Sequence, residues 1–189
     1  MAHGYPAGSP RLLATFLLVS SLHAAAASAG TGSDCPGSRS ADDANVLVVR
    51  TDEARGRIWI LGTDALYLHE KGLSAEPRRF RLPGWMHVIR SQACPPDMAI
   101  EDSGAAIVSS NIVPRLWRID PESLAVVELD VRLEDDESKD IGFTSLELLH
   151  PGSVRASSST GRSRWEIHLH DKTARKLGAD PRADFGVKP

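Results

Sequence analysis

Three side chains able to ligate a metal ion alternate along one short stretch: Glu166, His168 and His170. Period-two spacing puts them on one face of a strand, where carboxylate and imidazole donors suit zinc or calcium. The competing reading is a solvated strand face, because Trp165, Ile167 and Leu169 take the opposite, buried one. The outer two donors would also stand about 13 Å apart along a strand, too far to share one ion. A second candidate is the acidic run Glu134-Asp135-Asp136-Glu137 with Asp140 beyond it. Its hard oxygen donors suit calcium, yet it lacks the spaced loop with a turn glycine, and a run of like charge is ordinarily a solvated loop. There is no G-x-S-x-G elbow, H-E-x-x-H helix, phosphate loop or C-x-x-C. The residues therefore assign no catalytic group and no cofactor, although candidate donors exist for a divalent metal such as calcium.

Cysteine chemistry depends on the compartment, and the N-terminus speaks to that. Arg11 is the single charged group among the first eleven residues, and an apolar run follows from Leu12 to Leu22. Small residues then run from Ala24 to Ala29, ending Ala27-Ser28-Ala29 before Gly30. A basic flank, a short apolar segment and a small-x-small site are the parts of a secretory signal, with cleavage expected between Ala29 and Gly30. Eleven helical residues reach about 16 Å, short of the roughly 30 Å hydrocarbon core, so the segment can start translocation without persisting as a span. Cys35 stands too far from the cleavage site to accept a lipid. The expected product is secreted or periplasmic, with no stable membrane insertion. In an oxidising compartment the only two cysteines, Cys35 and Cys94, are expected to pair. Closing that loop would stabilise the fold by about 4 kcal/mol in the chain-entropy treatment.

Removing the leader takes away one cation and no acid, so the formal net charge moves from −3 to −4. A mildly acidic chain argues against nucleic acid as the main partner. The one basic stretch, Arg78-Arg79-Phe80-Arg81, alternates with an apolar residue and reads as a solvated strand face.

The elements that must position these residues come in repeats. From Gly104 thirteen residues lead to Trp117, and from Gly152 thirteen lead to Trp165. Ser109-Ser110 matches Ser157-Ser158 and Ile119 matches Ile167, all at one offset of forty-eight residues. A weaker copy precedes them, turning around Gly56 and placing Tyr67 where the later units carry Trp117 and Trp165. Apolar and polar residues alternate in Leu116-Trp117-Arg118-Ile119-Asp120 and Trp165-Glu166-Ile167-His168-Leu169-His170, with turn signals at Asp120-Pro121, Leu82-Pro83-Gly84 and Pro151-Gly152. No long amphipathic helix is visible after residue 30. The expectation is an all-β, propeller-like array of about three four-stranded antiparallel blades, over residues 45–93, 94–142 and 143–180. A flexible segment 30–44 would precede it and a short tail 181–189 follow. Tyr67, Trp117, Trp165, Gly104 and Gly152 are its expected core anchors, with Trp59 beside them, since repeats reuse packing residues.

The run from Pro95 to Gly104, followed by Trp117-Arg118-Ile119-Asp120-Pro121-Glu122-Ser123, resembles a blade of the NHL, YncE and SMP-30 type propellers. That resemblance implies blades but departs from the family in number. Closed propellers have four to eight blades, so a three-blade array is an incomplete ring with two outward faces expected to be apolar. A two-chain, six-blade ring would bury both. SMP-30 type lactonases hold a divalent ion with Glu, Asn and Asp, and Glu101 and Asn111 are of the right type, although neither matches that motif residue by residue. The function expected is an exported binding module that self-associates or is completed by a protein partner. The alternatives are a metal-dependent hydrolase or lactonase, and a truncated propeller paralogue without its own activity.

Overall fold

The computed structural model describes residues 45–70, 76–86, 94–134, 142–160 and 163–179, all within the unit Ser33–Pro189. The expected leader, its cleavage site at Ala29-Gly30, Cys35, most of the acidic run and the C-terminal tail lie outside these residues. Three antiparallel sheets follow one another along the chain. The first holds β1 (Val46–Asp52), β2 (Arg57–Gly62), β3 (Leu66–Glu70) and β4 (Arg78–Phe80), in that order. The second holds β5 (Met98–Ile100), β6 (Ala106–Ser109), β7 (Arg115–Ile119) and β8 (Val126–Asp130). The third holds β10 (Phe143–His150), β11 (Ser153–Ser158), β12 (Ser163–His168) and β13 (Thr173–Ala179), and gains a fifth strand, β9 (Arg132–Leu133). β9 leaves the second blade and pairs in parallel with β13, so the connection also covers the outer edge of the third sheet.

Turn chemistry explains the hairpins. Gly56, Gly104 and Gly152 recur every forty-eight residues at the turn between the first two strands of each blade, with φ of 61°, 87° and 81°. L-residues reach that region only with strain, so the repeat the sequence carries is a repeat of backbone conformation.

Strand alternation builds two cores from one central sheet. Ala106 and Val108 of β6 with Trp117 and Ile119 of β7 face the first blade, meeting Trp59, Leu61, Leu66, Leu68 and Phe80. Ile107 of β6 and Leu116 of β7 face the third blade, meeting Phe143, Val154, Ala156, Trp165 and Ile167. The middle blade thus has two apolar faces, as period two allows when both sides are covered. Trp117 and Trp165 are buried as expected, whereas Tyr67 is not a core anchor. Its neighbours Leu66 and Leu68 take the core face, which turns Tyr67 outward, where its hydroxyl donates to Asp64. Cross-strand pairing sets this face: Trp59 lies opposite Leu68 in the core, so Tyr67 lies opposite Ile60 on the other side.

The innermost strands are tied at Asp97. Its Oδ1 accepts from the Arg50 guanidinium of β1 at 2.6 Å and from the Met98 amide at 2.7 Å. Its Oδ2 accepts from the Leu146 amide of β10 at 2.9 Å. Arg50 Nε also donates to the Met98 carbonyl at 3.0 Å. Burial raises the carboxyl above its ordinary range, against the opposing pull of Arg50 and of the two backbone donors.

The outward face of the third blade differs from expectation. Glu147, Arg155, Glu166 and Arg175 stand in register across all four antiparallel strands. Arg155 pairs with Glu147 at 2.9 Å and Arg175 with Glu166 at 2.6 Å. This face is therefore an alternating charge row, not an apolar surface, because Arg155 and Glu166 alternate along β11 and β12 with the core residues Val154 and Ile167.

Two outcomes follow. Gly142 lies against the second blade so closely that a Cβ there would meet the Asn111 backbone at 2.0 Å. Gly142→Ala is expected to destabilise the fold by about 1–3 kcal/mol in urea unfolding, the cost of overpacking. Arg50→Gln removes the cation that offsets the burial of Asp97. Its cost is expected only where Asp97 is ionised, so the deficit relative to the parent chain should grow as pH rises from acid to neutral. Parallel urea titrations across that range measure it.

Candidate functional site

A groove of about 690 Å³ lies between the second and third blades. Its position follows from the hairpins. Residues Glu101, Asp102 and Ser103 come from the β5–β6 turn, and Leu149, His150 and Pro151 from the β10–β11 turn. The floor is apolar, made by Leu129, Leu148, Leu149 and Leu169. Leu129 and Leu169 are buried while Leu148 and Leu149 are half-exposed. Leu148 and Leu149 both reach the groove because the β10–β11 register shifts between Leu148 and His150, a bulge that breaks strict alternation.

One rim is held by an ion pair. Arg118 of β7 places Nε and Nη2 on a single Glu101 oxygen, at 3.0 and 2.8 Å, and the Ser103 hydroxyl donates to the same oxygen at 3.1 Å. Gly104 tightens the turn with a hydrogen bond from its amide to the Glu101 carbonyl at 2.8 Å. The other rim carries His150 and His170. Beyond it, Arg175 holds the Glu166 carboxyl below its ordinary range, aided by the nearby His168 and His150. An apolar floor between a guanidinium–carboxylate pair and two imidazoles can seat a hydrocarbon or aromatic group whose polar end stays at the rim.

The structure separates most residues that the sequence singled out for chemistry. Glu166 is engaged by Arg175 and lies 4.0 Å from His150, whereas His170 belongs to the groove. Glu101 and Asn111 occupy opposite ends of the second blade, because β5 and β6 run antiparallel. Asn111 is buried, donating to the Cys94 carbonyl at 3.2 Å. Cys94 is itself buried and donates its amide to the Ser159 carbonyl at 2.9 Å. Among the described residues, no three His, Cys, Asp or Glu side chains gather as a metal site. No helix among them is long and apolar enough to cross a membrane. The groove residues Arg118, Leu148, Leu149 and Leu169 went unrecognised in the sequence. The one available signal was Leu148-Leu149, two adjacent apolar residues in an otherwise alternating strand.

No protein-family model matches the chain, and no curated protein matches it either. Among solved structures, it is similar to the extracellular domain of a putative one-component system from B. thetaiotaomicron, with a TM-score of 0.52 at 13% identity over 72% of this chain. It is also similar to virginiamycin B lyase from Staphylococcus aureus, with a TM-score of 0.51 at 14% identity over 71% of this chain. The fold is a propeller-like array. The matches span 17% and 41% of those two chains, so the likeness covers only part of each.

The bulge makes Leu149 the most separable groove residue, since it lines the floor without belonging to either core. Leu149→Asp is expected to leave the unfolding midpoint nearly unchanged while weakening the binding of anilinonaphthalene sulfonate, an amphipathic dye, by about tenfold or more. Fluorescence titration of the folded protein measures it.

Proposed function

We propose that this chain is an exported, non-enzymatic binding module of propeller type whose ligand seat is the groove between its second and third blades. The observation that carries this reading is the groove itself, with its leucine floor between the Arg118–Glu101 pair and the two histidines. Such a lining suits an amphipathic small molecule or an apolar side chain presented by a protein partner. Tight hydrogen bonding of Glu101 by Arg118 and Ser103 favours binding over catalysis, because a carboxylate so engaged is a poor general base. The lactonase alternative draws no support from Glu101 and Asn111, which the antiparallel hairpin holds apart.

Export is supported by the N-terminal pattern of Arg11, the Leu12–Leu22 run and the Ala27-Ser28-Ala29 site. We assign Cys35 as the disulfide partner of Cys94 on the same ground of compartment and parity. The D-x-x-x-x-x-x-G turn ending at Gly104 and the Trp117-Arg118-Ile119-Asp120-Pro121 strand support placing the blades with the NHL, YncE and SMP-30 type.

Expression in a host with a functioning secretion system tests export and pairing together. The secreted protein is expected to begin at Gly30 and to have an intact mass lower by two hydrogens than its reduced form. A retained leader, or two thiols open to alkylation in the unreduced, unfolded chain, would reject the respective assignment.

A further inference from the structure

The two terminal blades are not equivalent, and the difference determines how copies of this chain can meet. On the third blade the outward face is closed by the Glu147–Arg155–Glu166–Arg175 row, whose charges are already matched along the sheet. Covering it with a second sheet would desolvate four charged groups that are already paired within their own sheet. The first blade presents the opposite chemistry. Val49, Ile60, Tyr67 and Arg79 form one register row across β1 to β4, and Thr51, Ile58 and His69 form the next. Val49 is 48% exposed, and neither Ile58 nor Ile60 belongs to either core. A shallow concavity of about 490 Å³ opens on this face beside Ile60, Tyr67 and His69.

The charges on this face are balanced. Asp64 accepts from the Tyr67 hydroxyl at 2.8 Å and from Arg79 at 3.1 Å, and both charged groups stay about half exposed. A face with an apolar row and one cation beside one anion suits a partner that is also apolar and internally balanced. A second copy of the same face meets that description. About a two-fold axis near Tyr67, Arg79 of each copy stands against Asp64 of the other, while the Val49–Ile60 rows cover one another.

We propose that the first blade's outward face, centred on Ile60 and Tyr67, is a self-complementary interface through which two copies of this chain associate face to face, leaving both third blades outward. This geometry disfavours head-to-tail closure into a six-blade ring, which would bury the charge row. Four strands of about five residues span roughly 19 by 17 Å. At about 320 Å² per partner that is less than half of a standard interface, so association is expected to be weak, reversible and dependent on concentration. The interface does not involve the groove, so groove binding and association can fail independently.

Sedimentation velocity on the mature chain over a concentration series tests the proposal. The expected result is a monomer–dimer equilibrium whose dissociation constant rises at least tenfold in Ile60→Glu and in the more exposed Val49→Lys. Far-ultraviolet circular dichroism should be unchanged in both. The Glu166→Ala and Arg175→Ala variants should dimerise as the parent chain does. A chain that stays monomeric at every concentration would overturn the proposal, as would a dimer insensitive to Val49→Lys. Loss of the dimer in Arg175→Ala would overturn it in favour of ring closure.

Discussion

The array depends on one largely buried carboxylate, whose side chain keeps 14% of its surface exposed. Asp97 gathers Arg50 from the first blade, the Met98 amide from its own and the Leu146 amide from the third, so one side chain spaces the three innermost strands. Its two oxygens must accept three hydrogen bonds while largely out of water, a cost that burial imposes and the Arg50 cation only partly offsets. Such a group adds little net stability compared with a well-packed apolar one. What it supplies is a shared acceptor for donors on all three strands, which ties their relative register.

From that fixed axis the blades fan outward on apolar packing. The central sheet alternates its side chains between two cores, and indole hydrogen bonds close the seams. Trp117 donates to the Pro83 carbonyl at 3.0 Å and Trp85 to the Thr63 carbonyl at 3.0 Å, with the two rings edge to face at 5.5 Å. The β9 strand then fastens the outer edge of the third sheet. With cores filled, the groove arises where the hairpin turns of neighbouring blades diverge, so the site is a by-product of blade spacing edged by side chains from two blades.

Much of this was legible in the residues. The forty-eight-residue spacing marked the turns, since a left-handed backbone position selects glycine at Gly56, Gly104 and Gly152 whatever surrounds it. Period-two alternation marked strands such as β7 and β12, because a half-buried pleated strand cannot read otherwise. Tyr67 shows where such reading stops. Its aromatic character matched the repeat, but its face was set by strand pairing, which puts Tyr67 opposite Ile60 and Leu68 opposite Trp59, and which no spacing of aromatics reveals.

By itself, the sequence determined the strand class, the blade count and the positions of the tight turns, because each rests on local backbone preference and local periodicity. Only the tertiary structure decided which groups meet. It brought Glu101 to Arg118 rather than to Asn111, made Glu166 a link in a charge row, and placed Leu149 on a groove floor. Those outcomes depend on antiparallel pairing, a bulge and blade-to-blade packing, all of which join residues far apart in the chain. Of Glu166, His168 and His170, where the search for chemistry began, the first two share β12, whereas His170 lies in the turn just beyond it. Their partners come from three other strands, and it is the partners that set what each can do.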